Sequence, residues 1–502
     1  MSKFFIAMIV AFGGACALAA QERAQEMPQE PASSGRTLVL SLEDALSIAL
    51  GESETIWVAE AGVMRAVGNT RIARSGFFPQ VSGTATYTRT LASQFEDIDF
   101  GGGGGGGGEV PEEDLGDLPF GQVNQYTLGL TLNQLVFDAG QTGARNRAAL
   151  ARRRSAEIDV VAARAQTLLD VTQRYFDAQL SDRLVEIAQG SLAQTEEVLR
   201  QTDVARRVGA QSEFELLRAR VARDNQVPVL LRRRIERLGA YLRLKQLLNV
   251  PLDDELQLTT QVEDLPARFA TRSDLSADQR APVRQAVENI TATREQLTET
   301  RGQRWPAVSL SSRYAPVAFP ASGFPEPGDF RNDWTVSLNL SVPILTWGRL
   351  RGNEMVAEGN LSQAEAVFQQ TREAAELDAR LAQTNLANAE ATLQANTSTV
   401  QEATRAYEIA QLRYREGISS QIELTDSRLL FEQAEVNRAQ ALRDVQVARA
   451  RLALLADLPL GTAIQGSGGA TPQQFPQQTP TTQTVTTPAA TTTGGGPGGA
   501  IP

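Results

Sequence analysis

Four segments of this chain alternate apolar and polar residues with the two-residue period of a β-strand. They lie at about residues 80–92, 123–137, 307–317 and 333–345. The apolar faces comprise Val81, Gly83, Ala85, Tyr87 and Leu91, interrupted by Arg89; Tyr126, Leu128, Leu130 and Leu132; Val308, Leu310 and Tyr314; and Trp334, Val336, Leu338, Leu340 and Val342. Strands of about 10 residues with this pattern are typical of outer-membrane barrels. An ordinary half-buried sheet produces the same alternation.

Four long segments between and after these strands predict helices and decide between the two interpretations. They lie at about residues 141–206, 213–248, 350–415 and 421–455 and are rich in Ala, Arg, Gln, Glu and Leu, which are strong helix formers. A helix over residues 141–206 would be roughly 100 Å long. Helices of this length with sparse apolar residues must pack against one another in an extended bundle. A coiled-coil scaffold alone does not account for the strands, so the two features together favour the barrel.

The chain contains an internal repeat that explains its length. The segment ending at Gly140 resembles the one ending at Gly348, and the segment ending at Gly209 resembles the one ending at Gly417, in both cases with an offset of 208 residues. Earlier in each repeat the offset is 227, so the first repeat carries 19 additional residues. The eight glycines at 101–108 lie in this insertion, which predicts a solvated loop because ordering glycine is entropically costly. We assign residues 41–270 to repeat 1 and 271–461 to repeat 2.

Both ends of the chain differ in composition from the repeats. Lys3, the apolar run at 4–18 and the small residues before Gln21 predict a signal peptide at 1–20, followed by a linker at 21–40. The alternative is a lipid attached to Cys16, the only cysteine of the chain. A lipidation site favours an aliphatic residue three positions before the cysteine, where this chain has Gly13. The cleaved chain would have no disulfide or thiol chemistry. The Gly-, Thr-, Pro- and Gln-rich segment 462–502 is typical of disorder.

Composition argues against several classes of function. The chain has no histidine, which is the commonest general base and transition-metal ligand. Its net charge of −11 argues against a nucleic-acid partner. The glycine run lacks the Lys-Ser/Thr of a P-loop. We therefore expect no enzymatic activity, no catalytic residues, no cofactor and no metal site. No long apolar run follows the signal, so membrane residence would depend on the strands.

Four strands from one chain cannot close a barrel, and an open sheet edge is not tolerated in lipid. Several protomers must therefore combine their strands. Twelve strands from three copies would enclose a lumen, since about eight strands are already filled by side chains.

In these respects the chain resembles the TolC-type outer-membrane efflux protein family. The resemblance covers roughly residues 41–461. It depends on the entry Ser41-Leu42-Glu43-Asp44-Ala45-Leu46, the strand starts Phe78-Pro79 and Trp305-Pro306, the strand–helix junctions at Gly140 and Gly348, and the helix reversals at Gly209 and Gly417. It implies an α+β membrane protein: a homotrimer with a 12-stranded β-barrel in outer-membrane lipid and a long α-helical coiled-coil tunnel in the periplasm. The loop at 93–122 would be extracellular.

The resemblance also implies a function and its partners. The protein would be the outer-membrane exit duct of a tripartite efflux or type I secretion system, joined through a periplasmic adaptor (membrane fusion) protein to an inner-membrane RND or ABC transporter. Conduction would be passive and gated at the periplasmic tip. Two other interpretations remain open at this point, a periplasmic structural coiled coil and a passive porin-like channel.

Several residues take roles through the resemblance. Glu423 and Asp426, six and nine residues after Gly417, would form the constriction. Glu215 and Tyr414 match positions that hold the closed tip together, whereas Ser419 replaces an arginine of that network in some relatives. The tip turns, which would also dock the adaptor, are Val208, Gly209 and Ala210 in repeat 1 and Gly417, Ile418 and Ser419 in repeat 2.

Overall fold

A computed structural model describes residues 37–91, 124–261, 269, 276–320 and 324–461 of the 502-residue chain. All its helices and strands belong to one compact unit that ends at Leu460. The predicted signal peptide at 1–20, the predicted loop at 93–122 and the predicted tail at 462–502 lie outside the described residues. Of the predicted linker, only its end at 37–40 is described.

Seven α-helices account for most of the described chain. They are α1 Leu42–Glu52, α2 Glu54–Ser75, α3 Gln141–Arg207, α4 Glu213–Leu247, α5 Ala281–Gly302, α6 Arg349–Arg415 and α7 Gln421–Leu454. The helices α3 and α6 each have 67 residues, which corresponds to about 100 Å. Each packs against the helix that follows its reversal, and α3 also contacts α2, α5 and α7. Within the described ranges, no helix combines the length and the apolarity needed to cross a membrane.

The strands form one main sheet and one small pair. They are β1 Thr37–Leu40, β2 Gln80–Arg89, β3 Asn124–Phe137, β4 Glu255–Leu258, β5 Ala307–Tyr314, β6 Val317–Ala318 and β7 Trp334–Ser341. The main sheet is antiparallel with the order β2-β3-β5-β7, and β6 pairs with β3. Val81 lies opposite Leu132, Leu130 opposite Tyr314, and Leu310 opposite Leu338. Because paired residues share a face, the apolar positions of all four strands lie on one side.

The structure differs from the sequence expectation at several element boundaries. The strand expected over 307–317 is interrupted after Tyr314, and the one expected over 333–345 ends at Ser341. Pro316 and Pro343 explain both ends, because proline has no N–H to donate to a strand ladder. Residues 37–40, expected in a linker, form β1, which pairs in parallel with β4. The helices α1, α2 and α5 were not predicted.

The main hydrophobic core lies where β1, α1 and β4 pack against the long helices. Tyr175 and Phe176 of α3 are fully buried there, with Leu244 of α4 and Ala450 of α7. The Tyr175 hydroxyl donates to the Leu40 carbonyl and accepts from the Thr260 N–H, both at 3.1 Å. The core therefore joins both long helical hairpins at one level and leaves their distal tips to be held by local contacts.

Candidate functional site

The two helical hairpins reverse through the same backbone geometry. Gly209 and Gly417 have φ values of 78° and 69°, the left-handed conformation in which glycine avoids a Cβ clash. After α3, the Ala210 N–H donates to the Ala205 carbonyl at 2.8 Å, and after α6 the Ile418 N–H donates to the Arg413 carbonyl at 2.8 Å. Both are the six-residue hydrogen bonds of a Schellman motif. The structure thus places the predicted tip turns at equivalent ends of the two repeats.

A serine and an acid start the second helix of each hairpin. The Ser212 and Ser420 hydroxyls cap α4 and α7 by accepting from the N–H groups of Glu215 and Glu423, at 3.3 and 3.4 Å. Both glutamates therefore occupy the third helical position, where a carboxylate is favoured by the helix dipole. Local helix chemistry alone accounts for an acid at each position, and a further role depends on what each carboxylate contacts.

The two predicted constriction carboxylates differ in their partners. Glu423 Oε1 lies 2.9 Å from Nη1 of Arg413, which is on the last turn of α6. Asp426 is exposed and forms no ion pair within the described part of the chain. Arg413 therefore neutralises Glu423 inside one protomer, while Asp426 retains an uncompensated charge.

The predicted closed-state residues Glu215 and Tyr414 do not contact each other but each bridges the two hairpins. The Tyr414 hydroxyl lies 3.1 Å from the Thr202 hydroxyl of α3. With its amide oriented so that both ends find partners, the buried Gln421 side chain of α7 donates to Glu215 Oε2 at 2.7 Å and accepts from the Ala219 N–H. One link joins α3 to α6 and the other joins α4 to α7, so the two tips are held together at two points.

An aromatic cluster packs next to these links. Tyr407 and Leu424 are buried, and the Tyr407 ring stacks on Phe431 at 5.7 Å between centroids. Burial raises the pKa of Tyr407, against the smaller opposing effect of the charges of Arg428 and Arg415. The tyrosine is therefore a neutral packing group at physiological pH.

Arg428 forms a buried polar joint beside this cluster. It is 6% exposed. Its guanidinium contacts the Ser191 hydroxyl of α3 and lies 3.0 Å from Glu432 Oε2 of α7. With the Gln226 amide of α4 oriented to present its oxygen, that oxygen accepts from the guanidinium at 3.2 Å. Ser191 also donates to Glu432 at 2.8 Å. Three helices from both hairpins thus meet on one cation. We call Arg428, Glu432, Ser191 and Gln226 the Arg428 joint.

Sequence reasoning missed Arg413, Gln421, Thr202 and the Arg428 joint. One signal was available for Arg413: its counterpart 208 residues earlier is Ala205, whereas Glu423 has the matching acid Glu215. An arginine present in only one repeat indicates that the two acids are paired differently. The other contacts depend on how the hairpins pack and carry no local pattern.

The tip turns themselves are solvent-facing. Val208, Gly209, Ala210, Gly417 and Ile418 are exposed, and Ser419 is partly buried. Val208, directly before Gly209, and Ile418, directly after Gly417, each present an exposed branched side chain. Single exposed apolar side chains are common on protein surfaces, so the docking role of the two turns stays a prediction.

The strand–helix junctions contain the other two predicted glycines. Gly140 and Gly348 have φ values of 84° and 86° and precede α3 and α6. At the first junction, the Asp138 carboxylate accepts from the N–H groups of Gly140 and Thr142, while Thr346 stands at the matching position of the second. The glycines allow the chain to turn sharply from sheet to helix.

Exposed aromatic residues lie at both ends of the main sheet. At the end farther from the junctions, the Tyr87 and Tyr126 rings lie 4.7 Å apart, and the Trp334 indole donates to the Ser312 hydroxyl at 3.0 Å. At the junction end, Phe77, Phe78, Phe137, Trp305 and Trp347 are exposed. The apolar face between them is exposed on β2 and β7 and half-buried on most of β5. Neither face of β2 or β7 has a covering element within the described chain.

The helix α4 carries a second exposed apolar surface. Its residues form two runs with steps of three and four positions, separated by ten residues, and we call them the α4 stripe: Phe214, Leu217 and Val221, then Leu231, Ile235 and Leu238. Spacing of this kind is typical of a coiled-coil seam that faces another helix. Each of these side chains is about half-exposed or more within the described chain.

Comparison with known proteins gives consistent matches. The sequence model of the family described as "Outer membrane efflux protein" matches residues 45–250 and 273–456. Nodulation protein T of Rhizobium leguminosarum bv. viciae is 24% identical over 371 residues, covering 73% of this chain and 74% of the relative. The toluene efflux pump outer membrane protein TtgF of Pseudomonas putida is also 24% identical, covering 61% of this chain and 64% of the relative.

The fold is similarly matched by solved structures. The CmeC outer membrane channel of Campylobacter jejuni superposes with a TM-score of 0.69 at 19% sequence identity, covering 84% of this chain and 87% of that chain. At this level of identity the likeness concerns the arrangement of helices and strands.

Proposed function

Because this chain belongs to the outer membrane efflux protein family, we propose that it is the exit duct of a tripartite efflux or type I secretion system, conducting substrate passively from the periplasm to the exterior. The family places the protein in the outer membrane and confirms the resemblance inferred from the sequence. One observation carries the proposal: the main sheet, whose edge strands β2 and β7 are open within the described residues, is continuous with helical hairpins about 100 Å long.

The open sheet edges support a homotrimer. In the part of the chain that the structure describes, edge strands β2 and β7 each expose an unpaired row of backbone groups, which lipid would not satisfy. Pairing β7 of one protomer with β2 of the next, three times over, gives a closed barrel of 12 strands. The α4 stripe supports the same assembly, since it offers a seam to a helix of the neighbouring copy.

The two aromatic ends of the sheet match the dimensions of a membrane. From Gln80 to Arg89 the strand β2 advances nine residues, about 30 Å along its axis. With the usual tilt of 35–45° this spans roughly 23 Å, close to the height of the apolar band of outer-membrane barrels. The apolar face would then contact lipid, and the Ser- and Thr-rich face would line the lumen.

The tips are the proposed gate. In a trimer, three copies of the tip would bring the carboxylates of Glu423 and Asp426 together around a common axis. Rings of carboxylates of this kind make a pore cation-selective. Opening would move α6 and α7 outward and break the Tyr414–Thr202 and Gln421–Glu215 links. The Arg428 joint would resist the same movement, because separating a buried cation from its partners is costly.

The exposed tip turns are the proposed contact with the rest of the export system. Val208 and Ile418 would dock a periplasmic adaptor, which would connect the duct to an inner-membrane RND or ABC transporter. No residue of this chain is assigned a catalytic, cofactor or metal role, since the transporter would supply the energy. The relative TtgF is named as the outer membrane protein of a toluene efflux pump.

The experiment that tests the proposal is single-channel conductance of the full chain in a planar bilayer. Wild type should show a small cation-selective conductance. The Glu423→Ala, Asp426→Ala double variant should conduct more and lose selectivity, because the carboxylates narrow and charge the constriction. A protein that conducts no ions and stays soluble without detergent would contradict the duct and favour a periplasmic coiled-coil scaffold.

A further inference from the structure

The second strand–helix junction carries a cluster of arginines that the proposed duct does not use. The side chains of Arg301, Arg304 and Arg351 surround one carboxylate, that of Glu354. Arg301 Nε lies 3.1 Å from Oε1, Arg351 Nη1 lies 3.2 Å from Oε2, and Arg304 also contacts Oε2. Glu354 is buried, with a side-chain exposure of 7%, so its charge is fully committed to these three partners.

Positive charge at this junction exceeds what the protein neutralises. Arg301 has a second partner in Glu358, at 3.0 Å. Arg349 is exposed and pairs with no carboxylate among the described residues. The four arginines face two carboxylates, leaving a surplus of two positive charges. All four arginines are exposed to solvent. The two positive charges without a carboxylate are therefore open to an external anion.

The first junction lacks this arrangement. The residues 208 positions before Arg349, Arg351 and Glu354 are Gln141, Gly143 and Asn146. Asp138 adds a negative charge there, and it already caps α3. The arginine cluster therefore does not follow from the turn that both junctions share, because the first junction makes that turn without it.

Two indoles flank the cluster in the chain. Trp305 follows Arg304, and Trp347 lies two residues before Arg349; Trp347 is 90% exposed. Exposed tryptophan at a strand end is typical of the headgroup level of a membrane. Basic residues at this level attract anionic lipid headgroups, and arginine matches the geometry of a phosphate oxygen pair.

From this juxtaposition we infer that Arg304, Arg349 and Arg351 bind the phosphate of an anionic phospholipid in the periplasmic leaflet of the outer membrane. The assignment of the leaflet rests on the proposed function, since it requires the sheet to span the membrane and the helices to extend into the periplasm. The lipid would occupy one specific site per protomer, beside Trp305 and Trp347.

Native mass spectrometry of the full chain in detergent tests this inference. Phosphatidylglycerol and phosphatidylcholine are titrated separately, because both carry a phosphate but only the first has a net negative charge. Wild type should retain phosphatidylglycerol more strongly. Arg349→Gln, Arg351→Gln should weaken that binding about 25-fold, at about fivefold for each arginine near the membrane surface, while Arg301 and Arg304 still neutralise Glu354.

A matched variant and a single substitution control for general effects. Arg232→Gln, Arg234→Gln removes two arginines with the same spacing from α4, where neither has an ion pair within the described chain; its lipid binding should equal that of wild type. Arg349→Gln alone removes no contact of the described structure and should weaken phosphatidylglycerol binding about fivefold. This single variant keeps the test valid if the double variant folds poorly.

Several results would overturn the inference. Equal retention of the two lipids by wild type, or unchanged binding by both arginine variants, would leave the cluster without a lipid. Competition by millimolar inorganic phosphate would assign it to a soluble anion, and loss of the trimer with unchanged lipid binding would assign it to a subunit contact. A protein that conducts ions but shows no lipid preference contradicts this inference alone, whereas a protein soluble without detergent contradicts the duct.

Discussion

At the scale of single residues, the same acid has acquired two different environments. Glu215 and Glu423 occupy equivalent helix-start positions, yet Glu215 contacts Gln421 of the other hairpin while Glu423 pairs with Arg413 of its own. The first repeat has alanine where Arg413 stands. Gln421 also differs between the repeats, since its counterpart is Glu213. Two differences between the repeats therefore accompany the two pairings of the acids.

Arg413→Ala should increase the cation selectivity of the closed-state conductance. Removing the guanidinium leaves Glu423 uncompensated, so the charge of each protomer at the constriction becomes more negative. Over distances of a few ångströms in a solvated pore this is worth about 1 kcal/mol, a roughly fivefold rise in the cation-to-anion permeability ratio. Reversal potentials in a salt gradient measure it.

Two further variants check that interpretation. Arg413→Ala, Glu423→Ala should restore nearly the wild-type ratio, since it deletes a neutral pair. Arg405→Ala removes an exposed arginine two turns higher on α6, where it pairs with Glu408, and should change the ratio little. An unchanged cation-to-anion permeability ratio in Arg413→Ala would show that Glu423 does not lie at the constriction.

Asp378→Asn should strongly destabilise the fold near the core. Asp378 and Arg280 are both almost fully buried and lie 2.8 Å apart, and Arg451 approaches the second carboxylate oxygen at 3.0 Å. Without the carboxylate, Arg280 would be a buried cation without a counter-charge, at a cost of about 3–5 kcal/mol. Thermal melting in detergent should show a clear drop. The exposed pair Arg294–Glu365, at 3.9 Å, provides the control: Glu365→Gln should cost less than about 1 kcal/mol.

At the scale of elements, the parts with strong local patterns were predictable. The alternation of apolar and polar residues predicted the four main strands and which residues share a face. This pattern is informative because a shift of one residue would turn every apolar side chain to the polar side. Glycine marked both helix reversals, because only the left-handed conformation completes that turn cheaply. The helix α2 was missed because it buries only Ile56 and Ala73, so its apolar periodicity is weak.

The candidate site residues Glu215, Tyr414, Glu423 and Asp426 were assigned through the family resemblance, by their distances from Gly209 and Gly417. Their roles stay predictions. The partners of these residues were not predictable, because Thr202, Gln421 and the Arg428 joint come together only when separate hairpins pack. A buried arginine within a charged helix looks like any solvated arginine in the sequence.

Arg428→Gln should let the two hairpins separate more readily. The substitution leaves Glu432 and Ser191 without their cation at a joint that links α3, α4 and α7. A loss of about 2 kcal/mol from the closed state would raise the open population about 30-fold, seen as more frequent openings in bilayer recordings. Arg438→Gln on the solvent-facing side of α7 is the matched control. Equal opening frequencies in all three proteins would show that the joint does not hold the gate.

At the scale of the whole molecule, the uncovered surfaces of the protomer agree with one assembly. The α4 stripe and the two sheet edges would be covered simultaneously by neighbouring copies related by a threefold axis. The apolar face of the sheet would remain for lipid. Each uncovered surface thus has its own occupant, and the protomer alone would expose all of them.

Ile235→Lys should disrupt the trimer while leaving the protomer folded. Ile235 is exposed within the chain and lies in the α4 stripe, so a lysine costs little in the protomer but would bury an unpaired ammonium between copies. Native mass spectrometry should show mainly monomer. Ile235→Leu keeps the seam apolar and should remain trimeric; retention of the trimer by the lysine variant would place the stripe outside the subunit interface.

The two open edges of the sheet also have a genetic consequence. If three copies must each supply four strands to one ring, a single faulty copy spoils a ring that contains two sound ones. In a cell expressing equal amounts of wild type and a variant whose β7 edge cannot pair, only on the order of one ring in eight would be free of the variant. Such alleles would therefore be dominant, and sensitivity to an exported toxic compound would reveal them even beside an intact copy of the gene.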